Sequence, residues 1–249
     1  MTLELNDAVL PYKEFYGRNV DQMPALVADK RVPLSVAGLM ERRLNSGNIE
    51  WRDNYFDCGD AIAYHPDGGV KIVLDAKLLR EMTASSKLKN GALILADGVY
   101  ETLGGFDFTR NELEGITERD LTLKEVKDHP MWLALSRNPA LLNEYSARMF
   151  DEMKQRFGQG NTNYDNNMGV YLASAEKVPT LRASYVCRLE FRSQLGGWDY
   201  LDNDGGRLVG VAPEALGAPN SVIVRPSLAE MLESVNSELG KGNLELRAK

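Results

Sequence analysis

Asp57, Cys58, Asp60, His65 and Asp67 crowd into eleven positions, and carboxylate, thiolate and imidazole are all metal ligands. A cation held by Asp57, Asp60 and His65 would activate water, making the chain a metal-assisted hydrolase. The spacing matches no known ligand motif, and Asp60 and Asp67 stand before a strand and inside a turn, ordinary places for Asp. Asp199, Asp202 and Asp204 form a second carboxylate group, of the kind that converges on calcium. The EF-hand register fails there, because Tyr200 takes the first ligand place and Val211 the twelfth. A solvated loop is the expectation, with a calcium site of another type left open. His65 and His129 are the only imidazoles, and neither lies near a Gly-x-Ser-x-Gly elbow. No phosphate-binding or dinucleotide glycine loop occurs. Arg182, Arg188 and Arg192 suit either an anion site or a solvated strand face, the commoner arrangement.

The stretch 184–204 carries a different chemistry, that of contact. Strand alternation would place Tyr185, Cys187, Leu189 and Phe191 on one face and Ser184, Val186, Arg188, Glu190 and Arg192 on the other. Beyond them, Gln194, Leu195, Trp198, Tyr200 and Asn203 mix aromatic, amide and apolar types among glycines. Rigid aromatics among small and polar residues are the composition of a recognition surface. Trp198 and Tyr200 either display their rings or fold back over the core; the sequence leaves both open.

These residues need elements to position them. Residues 1–30, with Pro11 and Pro24 and no sustained period, read as an extended arm with short turns. Val36, Leu39, Met40 and Leu44 predict a helix over 35–44, closed by Asn45-Ser46-Gly47. Segments 61–64 and 70–74 flank Pro66-Asp67-Gly68-Gly69 as a hairpin. A short helix follows over 76–82 and a strand over 92–95. Thr122 and Glu125 have capping-box spacing, His129-Pro130 ends or redirects that helix, and Asn138-Pro139 starts the next. Leu142, Tyr145, Met149 and Met153 stripe that helix to Phe157 and are expected to pack on a sheet containing Leu189, Leu208 and Val209. A polar loop over 158–167 precedes strands over 168–172, 183–191 and 207–211, with 193–206 a loop. Ser227 and Glu230 form a second capping box before Met231, Leu232 and Val235, with Gly240 as a stop. The order lacks βαβ alternation and predicts an α+β fold with antiparallel pairing. A boundary at Gly104-Gly105 would divide the chain into 1–105, 106–213 and a strand and helix extension over 214–249.

Composition restricts the partners. The chain has 249 residues with 29 Lys+Arg against 36 Asp+Glu, a net charge of -7 that argues against broad binding to nucleic acid. No run of about 18 apolar residues occurs, and the opening seven residues have neither the basic nor the apolar region of a secretory signal. Neither membrane insertion nor Sec export is expected; synthesis in the cytoplasm with virion or surface association is compatible. Two cysteines, Cys58 and Cys187, exclude a disulfide-dense scaffold.

Gly169 to Ala175, Leu181 to Leu189 and Asn203-Asp204-Gly205-Gly206-Arg207-Leu208-Val209, taken together, resemble the closing strands of a C-type lectin fold. The layout is similar to the formylglycine-generating-enzyme type, which ends with an Arg-Tyr-Arg-like strand, a loop and a Gly-Phe-Arg-x-Val strand. It looks closest to the variable proteins of diversity-generating retroelements, found in prokaryotes and their viruses. There a mutagenic reverse transcriptase rewrites codons near the 3′ end of the gene, and the altered side chains form a ligand-binding surface on a constant scaffold. The resemblance covers roughly residues 168–213. Gly206 precedes Arg207 directly, so the aromatic of Gly-Phe-Arg is absent. The Glu-Pro-Asn, Gln-Pro-Asp and Trp-Asn-Asp triplets of sugar-binding lectins and the paired cysteines of the oxidase are absent too.

The resemblance implies a C-type-lectin-like core of antiparallel strands packed against helices, with N-terminal and C-terminal extensions. It implies a non-enzymatic ligand-binding protein without cofactor, whose partner is a macromolecule, expected to be a protein. Its variable ligand-binding set would be Ser184, Cys187, Arg188, Glu190, Phe191, Arg192, Gln194, Leu195, Trp198, Tyr200 and Asn203. Trp198, Tyr200 and Phe191 would anchor, Arg188 and Arg192 would supply charge-assisted hydrogen bonds, and Gln194 and Asn203 would adapt. A purely structural virion component is a third reading.

Overall fold

The computed structural model of the protein describes residues 11–158 and 164–213. The chain opens with β1 (Tyr12–Tyr16) and α1 (Asn19–Ala28), where the two prolines predict an extended arm. Pro24 lies inside α1 and removes one backbone donor near its start, but Val20, Met23 and Leu26 are buried along one side and outweigh that loss. After β2 (Val32–Pro33), Ser35 caps α2 (Val36–Asn45) by accepting from the Gly38 amide at 3.1 Å. A turn of helix, α3 (Glu50–Asp53), leads into β3 (Phe56–Tyr64).

β3 is longer than its apolar run suggests, because Asp57 and Asp60 lie inside it and are fully buried. Its hairpin partner β4 (Gly69–Val73) pairs Tyr64 with Val70, and Gly68 adopts the positive φ of 96° that the tight connection requires. Next come α4 (Lys77–Arg80), β5 (Leu88–Lys89), β6 (Ala92–Ile94), α5 (Val99–Thr102), β7 (Phe106–Thr109), α6 (Arg110–Leu113) and β8 (Arg119–Thr122). Three capped helices follow. Thr122 and Glu125 form both bonds of the capping box on α7 (Leu123–Asp128), and His129 closes α7 and caps α8 (Pro130–Ser136). Asn138 accepts from the Ala140 amide at 2.8 Å to start α9 (Pro139–Phe157).

The remaining described strands are β9 (Asn166–Leu172), β10 (Thr180–Val186), β11 (Leu195–Gly197) and β12 (Arg207–Val211). The strand expected over 183–191 stops at Val186. Leu189–Phe191 is a 3₁₀ turn, and Arg192 and Ser193 take positive φ of 59° and 47°, which ends any alternation. That turn lets the chain reverse and lay β11 antiparallel to β10 within a segment expected to be loop. The polar loop at 159–163 and the strand and helix extension over 214–249, with its Ser227 to Glu230 box, lie outside the described residues.

Among the described residues twelve strands form one sheet that runs β1-β12-β3-β10-β11-β9-β8, with β2 on β12, β4 and then β7 branching from β3, and β6 and then β5 branching from β10. Pairing is antiparallel except for β11 on β9 and β12 on β3. Strands from either side of residue 105 therefore share this sheet. Alternation along β3 sorts the core into two layers. Phe56, Cys58, Ile62 and Tyr64 enter a cluster with Leu142, Tyr145, Met149 and Met153 of α9, together with Leu189 and Val209. Ala61 and Ala63 enter the opposite cluster, with Val20, Met23 and Leu26 of α1. The expected seat of α9 is thus found, except that Leu208 faces the opposite layer. Among the described residues no helix is long and apolar enough to cross a membrane.

His129 ties this helical layer to pH. Its Nδ1 accepts from the Met131 amide at 3.3 Å, leaving the proton on Nε2, 3.0 Å from the Ile116 carbonyl. Burial pushes the imidazole down to about 4. A depressed imidazole keeps its stabilising role above the ordinary 6.5 and loses it as pH falls through about 4. Denaturant unfolding across that window is expected to show a decline on the order of 3 kcal/mol from this group. His129→Asn, which retains an acceptor for the Met131 amide, should remove that share of the decline; an unchanged decline would assign it elsewhere.

Candidate functional site

The end of β10, the 3₁₀ turn and the loop after β11 enclose a groove with a volume of ≈ 350 Å³. It is lined by Tyr55, Tyr185, Cys187, Arg188, Phe191, Trp198, Asp199, Asn203 and Gly205. Its base is set by Arg43, which is fully buried on α2. The guanidinium donates to the carbonyls of Trp51 at 2.8 Å, Asn54 at 2.8 Å and Cys187 at 3.0 Å, and to the Tyr145 hydroxyl at 2.8 Å. The segment carrying Tyr55, the end of β10 and α9 are thereby held to one planar group.

The walls are aromatic. Tyr185 and Trp198 meet edge to face, their centroids 5.5 Å apart and their planes at 87°. This contact needs Gly196, since a Cβ there would lie 2.0 Å from the Tyr185 ring. Phe191, Trp198 and Tyr200 are 52%, 47% and 45% exposed, which answers the question the sequence leaves open: both loop rings are displayed. Tyr200 stands beside the groove on the Gly91 backbone, where φ is +71° and a Cβ would come within 2.2 Å of its ring.

Burial dominates the electrostatics of the groove's ionisable groups. Asp57 is fully buried beneath Asp199 and accepts from the Arg207 amide at 2.7 Å. Burial, then the neighbouring Asp199 carboxylate, pushes the Asp57 carboxyl well above its ordinary range. Burial pushes the Cys187 thiol up to about 11, which disfavours the nucleophilic thiolate. The Tyr185 phenol is raised as well, chiefly by burial.

Of the residues expected to form a variable surface, Cys187, Arg188, Phe191, Trp198 and Asn203 line the groove, and Glu190 and Tyr200 are exposed at its margin. Ser184 and Leu195 are corrections: both are fully buried, because β10 is covered on both faces and Leu195 belongs to the core with Val170. Arg192 and Gln194 turn away from the groove onto Asp120, at 2.7 Å and 2.8 Å. Arg182 is neither on a solvated face nor at an anion site. It is buried and donates to the carbonyls of Asp199 at 2.8 Å, Trp198 at 3.3 Å and Asn90 at 2.6 Å, fixing the loop from below. Tyr55, Tyr185, Asp199 and Gly205 complete the lining; the sequence marks Tyr185 as a strand residue and Asp199 as a candidate cation ligand, and Tyr55 arrives unmarked from a segment distant in sequence.

The hydrolase constellation does not assemble. Asp60 pairs with Arg137 at 2.6 Å and accepts from the amides of Val36 and Asp75, while His65 is engaged by Asp67, with Glu101 at 3.6 Å. Among the described residues no three His, Cys, Asp or Glu side chains are grouped to hold a metal, the 199–204 loop included.

The sheet, its two cores and the open groove define an α+β scaffold. No family profile and no curated protein matches the sequence. A solved structure from Nanoarchaeota, described as the accommodation of massive sequence variation by the C-type lectin fold, aligns with a TM-score of 0.60. Identity is 19%, over 80% of this chain and 97% of the other. The fold of this protein is therefore a C-type lectin fold.

Two substitutions separate surface from core. Trp198→Ser is expected to cost about 1 kcal/mol or less, whereas Leu195→Ala should cost roughly 2–5 kcal/mol through lost burial and a cavity. Equal losses in thermal melts would place Trp198 in the core. Asp57 gives a pH test of opposite sign to His129. A carboxyl raised in the folded state stabilises below its ordinary 3.8, and that contribution is lost as pH rises towards the folded value. Asp57→Asn should therefore gain on the parent protein in melting temperature as pH rises from acid to neutral; a constant difference would show that Asp57 is not protonated.

Proposed function

We propose that the protein is a non-enzymatic binding protein that offers the groove and its rim to a macromolecular ligand, a protein, and that this surface is diversified by a retroelement. The observation that carries the reading is the division of labour at 187–203. Phe191, Trp198 and Tyr200 are half exposed, while the backbone that bears them is held by Arg182, Arg43 and main-chain bonds such as Cys187 N to Gln194 O at 2.8 Å. Side chains on such a loop can change without unmaking the core. Within the C-type lectin fold we assign the chain to the formylglycine-generating-enzyme-like layout. The ligand set is Cys187, Arg188, Glu190, Phe191, Trp198, Tyr200 and Asn203, with Arg192 and Gln194 at its edge. The raised Cys187 thiol, which disfavours a nucleophilic thiolate, supports binding without catalysis. The solved relative's description, accommodation of massive sequence variation, is the second support.

The surrounding DNA tests this directly. A reverse transcriptase gene is expected nearby, with a near-copy of the codons for about residues 182–210. Differences should fall where the copy has adenine and concentrate at the exposed positions, sparing Leu189, Leu208 and Val209. A genome with neither element would remove the retroelement from the reading.

A further inference from the structure

Aromatic faces and a carboxylate meet in the groove, and together they select for positive charge. Tyr55, Tyr185, Phe191, Trp198 and Asp199 all line it. The face of an aromatic ring carries partial negative charge and attracts ammonium or guanidinium groups, most strongly where water is partly excluded. Tyr185 and Trp198, at 87° to each other, form two walls of a corner beside the Asp199 carboxylate. The protein's own chemistry already uses such a contact at the rim, where the Arg188 guanidinium lies 4.5 Å from the Phe191 centroid.

The surrounding cations are engaged by the protein's own groups. Arg43 and Arg182 spend their donors on carbonyls and the Tyr145 hydroxyl, Arg207 pairs with Glu14 at 3.0 Å, and Arg188, which lines the groove, pairs with Glu190 at 3.2 Å. A net charge of -7 for the whole chain draws basic partners. A pocket of ≈ 350 Å³ is at the small end of ligand sites, the scale of one inserted side chain.

We propose that the groove takes a cationic side chain, lysine or arginine, presented by a protein partner, with Tyr185 and Trp198 as walls and Asp199 as counter-ion. The inference rests on the recognition reading above and names the chemistry of its ligand. The test is a titration followed at the Trp198 indole N–H resonance, using the Nα-acetyl methylamides of lysine, arginine, norleucine and glutamate. Lysine or arginine should give saturable shifts with a millimolar dissociation constant, and norleucine and glutamate should bind about tenfold more weakly or worse. Asp199→Asn should weaken the cation about tenfold while leaving norleucine unchanged. Asp202→Asn, which removes the same charge from the exposed loop, should leave cation affinity unaltered. If Asp199→Asn does not fold, the comparison of lysine with norleucine decides alone. Norleucine binding as well as lysine, or glutamate binding better, would overturn the cation proposal and leave a recognition groove of other chemistry. No saturable shift from any of the four would overturn it and count against the groove itself. The retroelement reading stands or falls separately, on the DNA.

Discussion

Arg43 places a permanent charge at complete burial and satisfies it with four neutral oxygens instead of a carboxylate. Removing a charge from water costs several kcal/mol, and only well-aligned hydrogen bonds recover that cost. The arrangement therefore tolerates little displacement of its partners. Those partners are the carbonyls of Trp51, Asn54 and Cys187 and the hydroxyl of Tyr145, which belong to the approach to β3, the exit from β10 and the middle of α9. The helical layer, the central strand and the edge of the groove are registered to one another through a single planar group.

A second buried charge performs the matching task at the other end of the helical layer. Arg137, held in a left-handed conformation between α8 and α9, pairs with Asp60 on β3 and with Asp75 at 3.0 Å. Asp60 also accepts from the amide that begins α2. Breaking either partner would strand the other in the interior, so these residues specify an arrangement more than they add to stability. Asp60, one of the acids in β3 that suggest metal chemistry, serves this structural purpose.

The groove follows from the same economy. Arg182 and backbone hydrogen bonds set the path of 198–206, and Gly91 and Gly196 give the rings of Tyr200 and Tyr185 room to lie close. The outward side chains are then spare and contribute little to the core. The recognition reading proposed above needs such a separation of folding from surface.

Caps and periodic stripes act over a few residues, and they were legible in the sequence: the hairpin at Pro66 to Gly69, the capping box at Thr122, the start at Asn138 and the stripe of α9 all declare themselves locally. The aromatic types of Phe191, Trp198 and Tyr200 were legible too, but their exposure was not, because the sequence leaves open whether the loop rings are displayed or folded back. Burial on both faces is not local. Ser184 and Leu195 look like their exposed neighbours until packing on the faces of the sheet buries them, and Arg182 looks solvated until three carbonyls meet it. α1 forms despite Pro24 because a sheet supplies an apolar face for Val20, Met23 and Leu26. Tyr55 and Asp199 become parts of one site only when β3 and β10 pair, since the spatial coincidence of distant segments is set by strand register and by the buried Arg43, neither of which any single stretch of sequence contains.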